Sequence, residues 1–142
     1  MDASVDLIMA LRARLEATPA VMSKITGIFD RVPEQQRAER NVEFPYVSLG
    51  PSVSIPADYD CVMGEEITIQ FDVWSSGAGE AFGSVECRKI CDAIKRALHD
   101  VPLSLTANAL VTFNWEMTRI LDDPNPAITH GVVQFSGEVE TP

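Results

Sequence analysis

The chain has 142 residues, enough for one domain that removes roughly two-thirds of its unfolded surface from water. Hydrophobic residues make up 46% and charged residues 23%, mixed along the chain, which excludes wholesale disorder. The net charge of −10 is uneven: residues 1–40 hold six Lys/Arg against six Asp/Glu and residues 41–142 five against fifteen, so a basic footprint for nucleic acid is excluded as well.

Met1-Asp2-Ala3-Ser4 has neither a basic region nor a long apolar run, and Arg12 and Arg14 follow Leu7 to Leu11 at once. No signal peptide or membrane span is expected. Ser4 suits the N-cap of a helix over about residues 5–17, with an apolar stripe of Ile8, Leu11 and Leu15 and with Asp6, Arg12 and Glu16 on other faces. Thr18-Pro19 restarts the chain in a short helix through Ile25 that ends at Gly27. Ile28 to Val32 reads as a brief strand stopped by Pro33. Residues 33–43 are polar and aperiodic, a loop, and Phe44 to Leu49 is a strand with Pro45 near its start.

Residues 51–64, with Pro51, Pro56, Asp58, Asp60 and Gly64, read as a second irregular stretch, long enough to suggest a contact role. Glu65 to Trp74 alternates strictly: Ile67, Ile69, Phe71 and Val73 on one face, Glu66, Thr68, Gln70 and Asp72 on the other. After the turn Ser75–Gly79 comes the main helix, about 80–99, with Cys87, Cys91, Ile94 and Leu98 as its core stripe and Val85 and Ile90 beside it. Arg88, Asp92, Lys95, Arg96 and His99 fall on its opposite side. Pro102 closes it, and Leu103 to Leu105 reads as a short strand. Strands over about 110–121 and 128–140, joined by Asp122-Asp123-Pro124-Asn125-Pro126, form an antiparallel hairpin. The order α, α, β, β, β, α, β, β, β predicts an α+β domain over 1–142, a mostly antiparallel sheet with the long helix and the N-terminal helix packed on one face.

No chemistry-bearing constellation stands out. Cys87 and Cys91 share a helical face with Ile94 and Leu98, where cysteine serves as a small hydrophobe, and Cys61 and His99 are badly placed to complete a zinc site. Three cysteines without a secretion signal also argue against a disulfide framework and fit a reducing cytosol. Asp122-Asp123 reads as turn chemistry, no further carboxylate being spaced to complete a cation shell. His130 lacks a nucleophile on a strained turn, and Gly77-Ala78-Gly79-Glu80 breaks the phosphate-loop pattern. No catalytic, cofactor-binding or metal-ligating residue is assigned.

In order, the N-terminal helix with its Pro19 restart, Ile28-Phe29-Asp30-Arg31-Val32-Pro33, Phe44-Pro45-Tyr46-Val47-Ser48-Leu49-Gly50, Asp72-Val73-Trp74-Ser75, the helix from Glu80 to Leu98 and the closing hairpin with Thr129-His130-Gly131 form a set. This set resembles the phage tail completion proteins, the tail terminators or tail-to-head joining proteins of long-tailed phages, prophages and gene transfer agents. The resemblance implies a structural protein of the virion, made in the bacterial cytoplasm. It implies a ring, commonly of six subunits, that caps the head-proximal end of the tail tube. Its partners would be further copies of itself, the tail tube protein and the head-tail connector, with DNA passing through and no cofactor needed. Another head-tail adaptor or a tube-like component is the alternative, and a small cytosolic enzyme or metal-binding domain a more distant one. Arg31, Arg37, Arg40, Asp58, Tyr59 and Asp60 are the expected partner contacts, since they lie in or beside the two irregular segments and Arg and Tyr favour interfaces. Glu65, Glu66, Glu116, Glu138 and Glu140 are the expected lumen carboxylates, keeping phosphate from sticking.

Overall fold

The structure, a computed structural model, describes residues 1–32 and 43–142. The first helix, α1 (Ala3–Glu16), begins two residues earlier than predicted because Asp2, and not Ser4, caps it: an Asp2 carboxylate oxygen accepts the Val5 N–H at 3.0 Å. Its buried row is Leu7, Leu11 and Leu15 at one-turn spacing, with Ala3 before them, while Ile8 is only partly covered. The next helix, α2 (Pro19–Met22), lasts one turn and stops short of Ile25. Thr18 does not cap it; its hydroxyl donates back to the Arg14 carbonyl at 2.6 Å.

Six strands form one sheet: β1 (Ile28–Phe29), β2 (Tyr46–Leu49), β3 (Val53–Pro56), β4 (Met63–Ser76), β5 (Ala109–Asp122) and β6 (Ile128–Thr141). Their order is β1-β2-β4-β6-β5, with β3 also on β4. All pairings are antiparallel except β1 with β2. The alternation that predicted one strand over 65–74 extends through 63–76, because every residue of β4 has a partner on β6, from Met63↔Thr141 to Ser76↔Ile128.

Residues 51–64 are not irregular. β2 pairs with residues 71–74 and β3 with 65–68 of the same strand, so the chain from Tyr46 to Pro56 runs along one side of β4 as a single strand broken at Gly50–Ser52, where the register slips by one residue. Val53-Ser54-Ile55 alternates, but Pro51 and Pro56 bracket a run too short to register as a strand in sequence. A tight turn then returns the chain into β4: the Tyr59 N–H donates to Val62 O at 2.9 Å and the Ala57 N–H to Gly64 O at 3.0 Å.

The helix predicted from residue 80 opens instead with a 3-10 turn, Gly79–Ala81, and the α-helix proper, α3, is Val85–Leu98. Val85, placed beside the core in the sequence reading, is exposed, whereas Cys87, Ile90, Cys91, Ile94 and Leu98 are buried. Residues 103–105 form no strand, although Leu103 and Leu105 pack against the core as expected of apolar residues.

Both long helices bury their apolar rows in a single cluster with Ile67, Ile69, Phe71 and Val73 of β4 and Val133, Phe135 and Val139 of β6. Phe135 lies at its centre, edge-on to Phe71 at 6.1 Å and stacked on Phe113 at 5.1 Å. The opposite face of the sheet carries Glu66, Thr68, Gln70, Gln134, Ser136 and Glu138, exposed or half-buried. The predicted α+β architecture, helices on one face of a mostly antiparallel sheet, is the one observed.

Candidate assembly surfaces

Toward the Ser76 end of β4 the open face is held by a polar-aromatic network that follows from the register. Trp74 pairs with His130 across β4 and β6, and their rings stack at 4.0 Å and 9°. Asp72, two residues back on the same face, meets His130 Nε2 at 2.8 Å and accepts from the Gln70 amide at 2.9 Å. The Trp74 indole N–H donates to the Ser48 hydroxyl at 3.0 Å, and Tyr46 stacks on Trp74. These partners engage His130 by its ring nitrogen and by its ring face, which fastens β6 to β4, and Trp74 extends the network to β2.

At the Met63 end of the sheet the open face is acidic. Glu66 and Glu138 stand directly opposite each other, and Glu140 faces Gly64. Like charges so placed repel. The Tyr59 hydroxyl donates to Glu138 Oε1 at 3.0 Å, and this hydrogen bond, followed by the charge of Glu138, holds the phenol above its ordinary pKa. Glu116 is the extra residue where β5 bulges between Trp115 and Met117, and its carboxylate accepts from Gln134, which lies on the open face. Glu65 pairs with Val139 and belongs to the helix-side face, apart from the other four predicted lumen carboxylates.

Of the predicted partner contacts, Asp58, Tyr59 and Asp60 come together at the tip of the β3–β4 turn, all exposed. An Asp58 oxygen accepts the Gly64 N–H at 3.3 Å and fixes the turn. Arg31 is exposed beyond β1, and Arg37 and Arg40 lie outside the described residues. An apolar patch missed in the sequence reading surrounds the turn: Val53 and Ile55 of β3, Val62 and Met63 beside Tyr59, and Val111, the first bulged residue of β5. Its sequence signal was the same short alternation that hid β3.

Charge is sorted between the two layers. No Lys or Arg occurs from residue 41 to residue 87, and Arg119 is the one cation on the described strands. Arg12, Arg14, Lys24, Arg88, Lys89, Lys95 and Arg96 all lie on or beside the helices, interspersed with Glu16, Glu80 and Asp92. Asp92 and Arg96, one helical turn apart, pair at 2.8 Å, and Lys95 sits 3.9 Å above the Trp115 ring.

Cys87 and Cys91 are fully covered beneath Gly131, where an added Cβ would lie 2.6 Å from each sulfur. The Cys91 thiol is pushed up in pKa, first by its hydrogen bond with Cys87 and then by burial, so it packs protonated. Among the described residues no three His, Cys, Asp or Glu side chains gather closely enough to hold a metal ion.

Residues 9–139 match the model of the family described as Tail completion protein gp17. The tail completion protein gp17 of Bacillus phage SPP1 is 24% identical over 127 residues, covering 89% of this chain and 91% of that protein. A solved chain titled as the virion of a native gene transfer agent particle shares the fold with a TM-score of 0.81, at 20% identity over 96% of both chains. The solved structure of bacteriophage SPP1 gp17 gives a TM-score of 0.60 at 21% identity, over 95% of this chain and 89% of that one. No described helix is long and apolar enough to cross a membrane.

Proposed function

The chain belongs to the tail completion protein gp17 family, structural proteins of phage tails, and from that premise we propose that it is the tail terminator of a phage or gene transfer agent particle. In this reading copies of the chain form a ring on the head-proximal end of the tail tube. The ring stops tube growth and joins the tail to the head connector, and DNA passes through its opening. The observation that carries the reading is the family match over residues 9–139, nearly the whole chain. The fold it shares with a gene transfer agent virion chain over 96% of both lengths supports it. The charge distribution supports the passage of DNA: an open sheet face bearing Glu66, Glu116, Glu138 and Glu140 against the single strand cation Arg119, if turned toward the opening, repels phosphate, while most of the described cations lie on the helical layer. No step of this role calls for catalysis or a cofactor.

Deleting the gene from its particle-producing host tests the role. The expected result is DNA-filled heads and separate, unjoined tails, with joining restored by the purified protein and a label on the chain found at the head–tail joint. A label spread along the whole tail would turn the assignment to a tube component, and normal joined particles would refute it.

A further inference from the structure

We propose that the Asp58-Tyr59-Asp60 turn of one copy docks in a groove of the helical layer of the next copy, and that this contact closes the ring. It rests on the ring reading above. A cyclic assembly of more than two copies must join two different patches of the same chain, so each subunit carries a patch and its complement.

The turn supplies one half. It projects from the β3–β4 junction with Tyr59 61% exposed between two exposed carboxylates, and no cation lies on its segment. The groove supplies the other. About 440 Å³ in volume, it runs between α1, α2 and α3. Its floor is small and apolar, with Ala93 and Ala97 buried and the exposed Ala20 at its edge. Arg14, Lys24, Lys89 and Arg96 rim it against the single carboxylate Asp92, which Arg96 already engages at 2.8 Å.

An aromatic ring flanked by two carboxylates matches this groove in shape and in charge. Alanines at the floor leave room for a ring, Tyr brings a large contact area at low entropic cost, and Lys24 and Arg96 lie on the exposed rim where Asp58 and Asp60 would need partners. Asp92 engages Arg96 and Glu80 engages Lys89 at 2.9 Å, which leaves two rim cations that meet backbone carbonyls among the described residues: Lys24 donates to the Ala20 carbonyl at 2.8 Å and Arg14 to the Ala97 carbonyl at 3.3 Å. Of the open-face carboxylates only Glu138 touches the turn, accepting from the Tyr59 hydroxyl at 3.0 Å, and docking would exchange that exposed hydrogen bond for the groove.

Charge reversal on each half is the test, with assembly of the purified chain followed by light scattering and native mass spectrometry. Asp58→Lys with Asp60→Lys, or Lys24→Glu with Arg96→Glu, is expected to raise the concentration needed for assembly at least tenfold. A 1:1 mixture of the two variants should restore assembly, because in an alternating ring every reversed turn meets a reversed groove. Melting curves check that each variant folds, and Asp60→Lys alone serves if the loss of the Asp58–Gly64 bond unsettles the turn. In particles, Asp60→Cys with Lys24→Cys in a Cys61→Ser background should cross-link neighbouring copies. A wild-type chain that assembles and variants that assemble equally well would overturn this contact and leave the ring standing. Disruption without rescue in the mixture would overturn the pairing of these two surfaces. A wild-type chain that stays monomeric in solution and yields no multimers when cross-linked in particles would remove the ring itself, and the contact with it.

Discussion

Asp6 shows how far a single residue can depart from its reading in sequence. A carboxylate in the first turn of a helix is expected to be solvated, yet Asp6 is 1% exposed. Desolvation raises its pKa, but hydrogen bonds from the Ala107, Thr106 and Asn108 backbone and from the Asn108 amide outweigh that and bring it to about 2. The folded value lies below the ordinary 3.8, so the ionised carboxylate contributes stability that is fully present above about pH 4 and is lost as pH falls toward 2. Asp6→Asn should therefore lower the melting temperature by several degrees at pH 7, and the gap to wild type should narrow between pH 4 and pH 2. A gap independent of pH would contradict this. Gly131 is the second such residue. Gly131→Ala should cost about 1–3 kcal/mol by overpacking against Cys87 and Cys91. In a Cys87→Ala, Cys91→Ala background the same change should cost markedly less, because the sulfurs that it strikes are gone. Equal costs in urea titrations of both backgrounds would show that the glycine is there for another reason. Asp6 was illegible because its partners lie 100 residues away in sequence; the Cys87–Cys91 stripe was legible because helical periodicity alone places it.

Among the elements, the long ones were found, as were β1 and β2 with wider bounds than they have, whereas β3 was missed. β4, β6, β5 and α3 carry enough periods of alternation or helical spacing to be found locally, whereas β1 and β3 exist because β2 and β4 supply partners for their backbones. The strand predicted at 103–105 does not form: its apolar residues Leu103 and Leu105 pack on the core, but its backbone joins no ladder. That difference should appear in native-state hydrogen exchange. Amides of β4 and β6, each paired along its full length, should exchange slowest, and those of β1 and β3 fastest among the strands. Protection of β3 matching that of β6 in the isolated chain would sink this. Phe135→Ala, which removes the ring contacting both Phe71 and Phe113, should cost about 3–5 kcal/mol in denaturant titrations.

For the whole molecule, the separation of charge matters more than its total. A net charge of −10 would serve solubility wherever it fell; the fold puts most of the described cations on or beside the helices and gathers Glu66, Glu138 and Glu140 on the open sheet face, where Arg119 is the one strand cation. The isolated chain should then show no DNA binding in gel-shift assays even at low salt. Glu66→Lys with Glu138→Lys should leave tails assembled but slow DNA ejection, and should give a DNA affinity whose logarithm falls with the logarithm of salt by about 0.9 for each phosphate contacted. Unchanged ejection from such tails would place these residues away from the opening.

By itself the sequence determined the α+β class, the long strands and helices, the buried cysteine stripe and the family, because each is written in local periodicity or in the order of short segments along the chain. Only the tertiary structure decided which carboxylates face which way. Alternation assigns faces relative to a strand, but Glu65 and Glu66 are separated, and Glu66 and Glu138 brought together, by the pairing of two strands some seventy residues apart. The pairing of β3 with β4 lifts Asp58, Tyr59 and Asp60 out at a turn whose strand, β3, has its partner and not its own composition to thank for existing.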